Sequence, residues 1–377
     1  MSRLVKIEKN LDIKSNKLIK EYLNPNHVYI PYSKKYELDI KMNDNVLLNG
    51  LILHNNNNYV YSTVSGKIMG ACESIVDGKK MPTIIIENDF REKVYKVKGI
   101  SNNIDKFTPE EANKLLKIYN AINSNLKGNI LLISGIDYEP YEETMSYLIS
   151  KHADNLLECI DALCSIFKIT NCYLAIKNND SENVEKLINE IGTYPNINLK
   201  LMPDLYPIGK KEVLINELNL NKYNKEDIIF LTIEDIYAIY NVLKRRRPIT
   251  DKLVTFSGDL LNKAKVMRVK IGTNIGDIIN EEFKINGDDY HIIINGLISG
   301  YEIKNLNAVI TPNIRSVFIN SKKYEVEEEC INCGLCVNHC PVGANPKEKI
   351  KMEKCIKCGL CNYICPSKIK LVGDENE

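Results

Sequence analysis

Cysteine is spread very unevenly along this chain, and one cysteine pattern occurs twice near its C-terminal end. The stretch CINCGLCVNHCP starts at Cys330 and the stretch CIKCGLCNYICP starts at Cys355, and both follow the spacing C-x2-C-x2-C-x3-C-P. A cubane iron–sulfur cluster needs four thiolates: three come from one tight loop, and the cysteine before proline binds the neighbouring cluster. The repeat therefore predicts a C-terminal module built around two [4Fe-4S] clusters.

The spacing also assigns each cysteine to one of the two clusters. The first predicted cluster is held by Cys330, Cys333, Cys336 and Cys365, and the second by Cys355, Cys358, Cys361 and Cys340. Gly334 and Gly359 lie where each loop must curl, because glycine adopts a positive φ at little cost. These eight cysteines are the predicted metal ligands of the chain.

Zinc and disulfide bonds are the alternative uses for such cysteines. Zinc sites usually pair two C-x2-C steps across a longer gap, and disulfide-rich secreted domains spread their cysteines. Here eight of 12 cysteines lie at or after Cys330, which favours clusters. The segment from about 326 to 370 resembles a bacterial-type dicluster ferredoxin, and this resemblance implies transfer of single electrons.

Lysines accompany the cysteine repeats and admit two interpretations. They are Lys347, Lys349, Lys351, Lys354 and Lys357. They could face an acidic redox partner, but a solvated rim of the domain is the favoured interpretation.

Charge and hydropathy exclude several classes of function. The formal net charge is +1 over 377 residues, so no bulk positive field gathers nucleic acid or anionic lipid. No stretch approaches the ~20 apolar residues of a membrane span, and the N-terminal sequence MSRLVKIEKNLDIKSNK lacks the apolar core of a secretory signal. We therefore expect a cytoplasmic protein without a nucleic-acid partner, and a peripheral place on a membrane complex stays open.

Residues 26–98, which follow an N-terminal tail over 1–25, have the pattern of an all-β module. Short alternating runs such as HVYIPY and MPTIIIEN are separated by turn signals, including Asp77-Gly78. Such dipeptides between apolar runs indicate β-hairpins.

Residues 99–243 alternate helical patterns with apolar strands, which is typical of a parallel, layered α/β domain. A capping box from Thr108 to Glu111, with Pro109 at the first helical position, predicts the start of a helix. NILLIS and NCYLAIK are predicted strands, and ENVEKLINEIG is a predicted helix that ends at Gly192.

Three cysteines and two acidic pairs of the body receive structural interpretations. The cysteines on predicted core elements are Cys159, Cys164 and Cys172. Packing explains them better than metal ligation. The acidic pairs interpreted as solvated faces are Glu142-Glu143 and Glu281-Glu282.

Residues 248–325 return to short strands after the basic joint KRRRP. The predicted strands are KLVTFSGD, KVMRVKIGT and YHIIINGLISG, and NIGDIINEEF is the predicted helix. No GxGxxG follows a strand, no Walker loop is present, and no histidine or nucleophile pattern rises above chance. No catalytic residue and no ligand for an organic cofactor is therefore predicted.

The order of these parts resembles the RnfC family of the Rnf electron-transport complex across nearly the whole chain. GIDYEPYEETMSYLI is similar to the N-G-x-E-C-E-P-Y stretch beside the flavin of that family, and LMPDLYPIGKKEVLI is similar to its Y-P-x-G-x-E-x-x-L-I. AIYNVLKRRRPITDKLVTFSGD followed by MRVKIGT resembles the start of its soluble-ligand-binding β-grasp (SLBB) module, and VSGKI after MNDNVLLNG resembles its barrel-sandwich hybrid.

The resemblance implies a multidomain fold that combines α/β and all-β parts. The implied domains are an N-terminal barrel-sandwich hybrid over 26–98, a Rossmann-like layered α/β domain over 99–243, a β-grasp SLBB module over 248–325 and a C-terminal bacterial-type 2[4Fe-4S] ferredoxin domain over 326–377. In the full family form, FMN takes hydride electrons from NADH and releases them singly to the clusters.

The chain departs from the family pattern at the flavin. The glycine-rich loop of the family should precede NILLIS, yet no glycine lies between Gly99 and Gly128. Backbone N–H groups without a neighbouring Cβ are what cradle a phosphate. In addition, Ser134, Asp137 and Tyr138 stand where the family has asparagine, glutamate and cysteine. These departures argue against FMN and NADH binding, which stays an open question.

Three functions are compatible with the sequence. The first is an electron-transfer protein that relays electrons from ferredoxin or an NADH-linked donor to an acceptor reductase, as in relatives that serve proline reductase. The second is an FMN-dependent NADH-oxidising subunit of a membrane Rnf-type complex. The third is a docking or assembly protein whose clusters are structural.

Overall fold

The structure is a computed structural model that describes residues 3–7, 20–56, 58–95, 104–321, 329–369 and 371. The strands within these residues are β1 (Lys20–Tyr22), β2 (His27–Pro31), β3 (Glu37–Leu38), β4 (Asn45–Val46), β5 (Leu51–His54), β6 (Tyr59–Tyr61), β7 (Gly66–Val76), β8 (Lys79–Asn88), β9 (Ile130–Ser134), β10 (Asn171–Lys177), β11 (Ile197–Met202), β12 (Ile228–Thr232), β13 (Asp251–Ser257), β14 (Lys265–Lys270), β15 (His291–Ile294), β16 (Tyr301–Ile303) and β17 (Ser316–Asn320). The α-helices are α1 (Pro109–Ile118), α2 (Thr144–Phe167), α3 (Ser181–Ile191), α4 (Lys211–Glu217), α5 (Ile233–Arg245), α6 (Ile275–Glu282), α7 (Leu335–Asn338) and α8 (Leu360–Tyr363). The stretch around Gly99 and parts of the predicted terminal segments lie outside the described residues.

A four-stranded parallel sheet forms the centre of the α/β part. Its strand order is β11-β10-β9-β12, and every residue of β9 is buried. α2 and α5 pack on one face of the sheet and α4 packs on the other. Numbered by their order along the chain, the strands lie in the order 3-2-1-4, which matches the first four positions of the 3-2-1-4-5-6 order of a doubly wound nucleotide-binding sheet. The layered α/β prediction is confirmed.

Local sequence signals explain where these helices begin and which residues fill the core. The Thr108 hydroxyl accepts the Glu111 N–H at 3.2 Å, and the Thr108 N–H donates to the Glu111 carboxylate at 3.0 Å. The predicted capping box is therefore present. The cysteines of this domain are buried among apolar side chains, as predicted: Cys159, Cys164 and Cys172 are 0%, 6% and 1% exposed.

The segment predicted to be all-β contains two antiparallel sheets. Their strand orders are β2-β8-β7-β4 and β3-β5-β6, and both contribute to one apolar cluster. β7 and β8 form a long hairpin whose turn residues Asp77 and Gly78 have φ of 47° and 83°. Positive φ at both central positions is the geometry that an Asp-Gly turn provides.

A six-stranded mixed sheet, packed against α6, follows the α/β part. Its order is β1-β14-β13-β17-β15-β16. β1 comes from the segment assigned to an N-terminal tail, and it pairs in parallel with β14 at the edge of the sheet. Beside it, Glu282 forms ion pairs with Lys20 at 2.5 Å and Lys265 at 3.2 Å. The interpretation of the Glu281-Glu282 pair as a solvated face is therefore wrong for Glu282, whose side chain is 9% exposed.

None of the helices within the described residues has the length and apolar composition needed to cross a bilayer.

Candidate metal centre

The two cysteine runs form two similar loops, each followed by a short helix. Gly334 precedes α7 and Gly359 precedes α8, with φ of 73° and 68°. This left-handed conformation turns the chain back so that the last cysteines of each loop start a helix. The positive φ predicted at both glycines is therefore present in the structure.

Seven of the eight sulfurs, all except that of Cys330, divide into two groups by their electrostatic neighbours. The Cys336 sulfur has Cys333 and Cys365 as neighbours. The sulfurs of the other group neighbour one another, and this group comprises Cys340, Cys355, Cys358 and Cys361. Each group thus takes its fourth cysteine from the other run, which is the crossed arrangement that the spacing predicts. The ligand assignment itself stays a prediction.

The two groups differ in exposure. In the first group Cys330 and Cys333 are exposed, whereas Cys358 and Cys361 of the second group are 8% and 9% exposed. A cavity is lined by all four cysteines of the second group, with apolar side chains that include Val342, Ala344, Ile356 and Leu360. The donor set and the apolar surroundings fit an iron–sulfur cluster, which thiolates hold and which exclusion of water protects.

Burial favours the protonated thiols of Cys358 and Cys361 when no metal is bound. It raises the pKa of Cys358 to about 11 and that of Cys361 to about 12, and neighbouring cysteines add to the effect for both. Metal binding therefore has to displace these protons. Among the residues that the structure describes, no three His, Cys, Asp or Glu side chains lie close enough together to bind a single metal ion.

The second cysteine loop is hydrogen-bonded to the α/β domain through Tyr206. The Tyr206 hydroxyl lies 2.5 Å from the carbonyl oxygen of Cys358 and 2.7 Å from Glu139 Oε1. A tyrosine hydroxyl carries one proton, so it cannot donate fully to both acceptors. A protonated Glu139 removes this conflict, because it can donate to the tyrosine oxygen and leave the tyrosine proton for the Cys358 carbonyl.

Glu139 is the buried centre of this contact. The Glu139 carboxylate accepts hydrogen bonds from the Ser299 hydroxyl at 2.5 Å and from the Ile298 N–H at 3.1 Å. Glu139 is 2% exposed. Burial raises its pKa to about 7, although the hydrogen bonds from Ser299 and Tyr206 act in the opposite direction. Glu139 thus connects the end of the parallel sheet to the loop that precedes β16.

That same loop packs directly against the second cysteine loop. A Cβ added at Gly359 would lie 2.1 Å from the carbonyl oxygen of Ile298. At the equivalent position of the first loop, the atom nearest to a Cβ added at Gly334 is a side-chain nitrogen of Asn338, 3.8 Å away. The second loop is therefore seated against the protein body at a point where the first loop is open.

The N-terminal segment also takes part in this contact. Val5 pairs with Tyr206 through two backbone hydrogen bonds of 3.1 and 2.7 Å, and Arg3 donates to the Cys340 carbonyl at 3.3 Å. Val5 and Ile7 pack in the same apolar cluster as Tyr206, Cys358 and Leu360. Residues 3–7 thus lie between the α/β domain and the cysteine loops.

A group of charged side chains surrounds Tyr138 at the carboxyl end of β9. Lys210 Nζ and Arg315 Cζ lie 5.1 and 5.0 Å from the centroid of its ring. The Glu142 carboxylate accepts the Ser316 hydroxyl at 2.7 Å and is 3% exposed. The interpretation of Glu142 as part of a solvated face is therefore wrong: the side chain is buried with an arginine and a serine as partners.

The carboxyl edge of the parallel sheet is where a nucleotide cofactor would bind in this class of fold. The cavity there measures about 30 Å³ and is lined by Asp137, Tyr138, Lys177 and Asp204, among others. Burial raises the pKa of Asp137 to about 6. Polar and titratable side chains thus line the sheet edge where this class of fold binds a nucleotide cofactor.

Two protein-family models match the chain. The Nuo51 FMN-binding domain matches residues 114–242, and the 4Fe-4S dicluster domain matches residues 301–376. The RnfC protein of Buchnera aphidicola, a component of the ion-translocating oxidoreductase complex, is 25% identical over 335 residues, covering 81% of this chain and 70% of that protein.

The resemblance to the RnfC family is confirmed.

Other relatives of the RnfC type align over shorter parts. The Haemophilus influenzae protein is 25% identical over 64% of this chain and 33% of its own length, and the Yersinia pestis protein is 26% identical over 58% and 38%. The chain thus spans about a third of the length of these two curated relatives. An NAD+-reducing [NiFe]-hydrogenase in the air-oxidized state aligns with 13% identity over 66% of this chain and 54% of that chain, with a TM-score of 0.49.

The comparisons bear on the expected cofactors of this RnfC-like chain. The 4Fe-4S dicluster match confirms the expectation of two clusters in the C-terminal segment. The match to the FMN-binding domain starts at residue 114, after much of the stretch from Gly99 that contains no glycine.

Sequence reasoning missed the residues that join the clusters to the body. Glu139 and Tyr206 each lie in a motif quoted for the family resemblance, but nothing in the sequence indicated that they meet. They are 67 residues apart, and Tyr206 is 152 residues from Cys358. Each residue precedes a proline within its motif, which marked the two motifs in the sequence. The fold is what brings the two motifs together.

Proposed function

We propose that this chain is an iron–sulfur electron-transfer protein that relays single electrons between a reduced donor and a partner reductase. The observation that carries the proposal is the pair of crossed cysteine groups, within a segment that matches a 4Fe-4S dicluster domain. Clusters held in this way take up and release one electron at a time. The chain supplies their thiolates, the water exclusion and the contact with the body.

The difference in exposure between the two groups supports a relay with an inner and an outer side. Cys358 and Leu360 bury the second group against Tyr206 and the N-terminal segment. The loop from Cys330 to Cys333 leaves the first group open to solvent, where a partner protein can approach.

The test is anaerobic purification followed by iron and flavin analysis. Two [4Fe-4S] clusters require about eight irons per chain, and reduced ferredoxin should bleach their visible absorbance rapidly and reversibly. Purified protein that contains zinc in place of iron, or clusters that no protein donor reduces, would contradict the relay. If no protein donor reduces the clusters, they have a structural role and the chain is a docking protein.

FMN-dependent oxidation of NADH is a second candidate, favoured by the match of residues 114–242 to the Nuo51 FMN-binding domain and by the 3-2-1-4 strand order. The glycine-free stretch before β9 argues against it. Flavin fluorescence in an acid extract, together with bleaching of the clusters by NADH, would decide for this candidate.

The finer domain assignment and the partners belong to the same proposal. Antiparallel sheets over 27–88 support a barrel-sandwich hybrid within 26–98, and the mixed sheet with α6 supports an SLBB module within 248–325. The relatives are named as subunits of an ion-translocating oxidoreductase complex, which supports a peripheral place on such a complex. A soluble relay that serves a reductase such as proline reductase is the alternative from the sequence resemblance alone. Affinity purification from native membranes and from the soluble fraction would separate these two partners.

A further inference from the structure

Lys210 is a cationic side chain close to Cys358 of the second cysteine loop. It is half-buried and directly precedes α4, four residues after Tyr206, whose hydroxyl contacts the Cys358 carbonyl. Its ammonium lies 5.1 Å from the centroid of the Tyr138 ring and has the Cys358 sulfur among its electrostatic neighbours. A positive charge thus lies near Cys358, one predicted ligand of the second cysteine group.

The carboxylates that neighbour Lys210 are those of Glu139 and Glu142, and they compensate its charge only in part. Arg315, which also neighbours Lys210, is itself cationic and is paired with Glu142. Among the neighbouring carboxylates, Glu139 has the largest electrostatic effect on Lys210. Burial raises the pKa of Glu139, so its carboxylate is more readily protonated and then carries no charge. The side-chain partners of Glu139 are the hydroxyls of Tyr206 and Ser299, which carry no charge.

We infer that Lys210 sets the midpoint potential of the cluster held by the second cysteine group, and that its charge raises this potential. The inference rests on the proposed function, because it requires both clusters to be present. Reduction adds one electron, and therefore one negative charge, to a cluster. A nearby ammonium stabilises the reduced form, and more so in a partly desolvated site than in water.

The first cysteine group provides an internal reference. Its buried member, Cys336, has cysteines of its own group as electrostatic neighbours, and Cys330 and Cys333 are exposed to solvent. Solvent screens distant charges. The charge of Lys210 should therefore act on one of the two clusters and leave the other unchanged.

The experiment is a redox titration of anaerobically purified full-length protein, followed by electron paramagnetic resonance. Lys210→Gln should lower the midpoint potential of one cluster, Lys210→Glu should lower the same potential further, and Lys210→Arg should leave both potentials as in the wild type. Lys211→Gln, a change of the adjacent lysine, is the matched control and should move neither potential.

Single-cluster backgrounds identify which cluster responds. In Cys365→Ala protein, which keeps the second group intact, Lys210→Gln should still lower the potential. In Cys340→Ala protein, which removes a ligand of the second group, the same change should have no effect on the remaining cluster. A structural role for Lys210 would change iron content or melting temperature without this selective shift.

The outcomes separate this inference from the proposed function. Protein with both clusters, full iron content and no potential shift in either Lys210→Gln or Lys210→Glu would overturn the inference alone. An equal shift of both clusters would also overturn it, because the charge would then act on the whole domain. Protein without clusters would overturn the proposed function before Lys210 is tested.

Discussion

Tyr206 donates its hydroxyl proton towards the main-chain carbonyl of Cys358, across 152 residues of sequence. Tyr206 follows the third strand of the parallel sheet, and Cys358 is a predicted ligand of the second cluster. The contact joins the edge of the α/β domain to the cysteine loop without any covalent linkage. Its strength is therefore open to measurement by single substitutions.

Tyr206→Phe should weaken the attachment of the second cysteine loop. The change removes the hydrogen bonds to Cys358 and Glu139 but keeps the ring in its apolar cluster. We expect a loss of about 1 kcal/mol in the free energy of unfolding and faster amide hydrogen exchange around Leu360. Tyr223→Phe, in the same domain, is the control. Unchanged exchange in the Tyr206 variant would show that the apolar contacts alone seat the loop.

Cys340→Ala and Cys365→Ala should each remove the cluster named by the crossed assignment. Cys340 belongs to the first run but is a neighbour of Cys358 in the second group. Cys365 belongs to the second run but is a neighbour of Cys336 in the first group. Each variant should keep about four of the eight irons. Electron paramagnetic resonance of Cys340→Ala should show the spectrum of the exposed cluster, and Cys365→Ala that of the buried one. Loss of the opposite cluster in each case would rule out crossed ligation.

Gly359→Ala should be far more damaging than Gly334→Ala. Both positions have a positive φ, which costs alanine about 1–2 kcal/mol. At Gly359 the new methyl group also lies 2.1 Å from the Ile298 carbonyl oxygen, whereas at Gly334 the nearest atom is 3.8 Å away. We expect a larger fall in melting temperature and in iron content for Gly359→Ala. Equal effects of the two changes would mean that the loop from Ile298 moves aside freely.

Glu139 should make the protein less stable as the pH rises from about 5 to about 7. Its pKa in the folded protein is about 7, above the ordinary value of a glutamate, so the folded state binds its proton more tightly than the unfolded state does. The stabilising contribution is complete at low pH and is lost as the pH rises through the folded pKa, at up to about 1.4 kcal/mol per pH unit.

Glu139→Gln should flatten this dependence, because an amide does not titrate. Melting temperatures of the two proteins between pH 5 and pH 8 would show it, and Glu110→Gln, at an exposed position of α1, is the control. A Glu139→Gln protein with the same pH slope as the wild type would place the titrating group elsewhere.

The sequence predicted the local elements well and the contacts between distant parts poorly. The capping box at Thr108, the Asp77-Gly78 hairpin and the curl at Gly359 are short-range features, so residue type and spacing determine them. Glu142 was misjudged, because a glutamate beside another acid on a helix start has the pattern of a solvated face. Its burial depends on Arg315 and Ser316, which lie more than 170 residues away.

The candidate site follows the same division. The eight cysteine ligands and their crossed grouping stay a prediction, made from the ligand spacing that one tight loop requires. The roles of Tyr206, Glu139 and Lys210 could not be predicted, because they depend on how the parallel sheet meets the cysteine loops.

The position of residues 3–7 has a consequence for how the protein is made. Arg3 reaches a carbonyl group 337 residues further along the chain, and Val5 forms a bridge with Tyr206. Synthesis has to pass Tyr206 before the Val5 bridge can form, and it has to pass Cys340 before the Arg3 contact can form. Residues 3–7 can therefore complete this interface only after the first cysteine run has been made, and a change at Arg3 would act directly beside Cys340, a predicted cluster ligand.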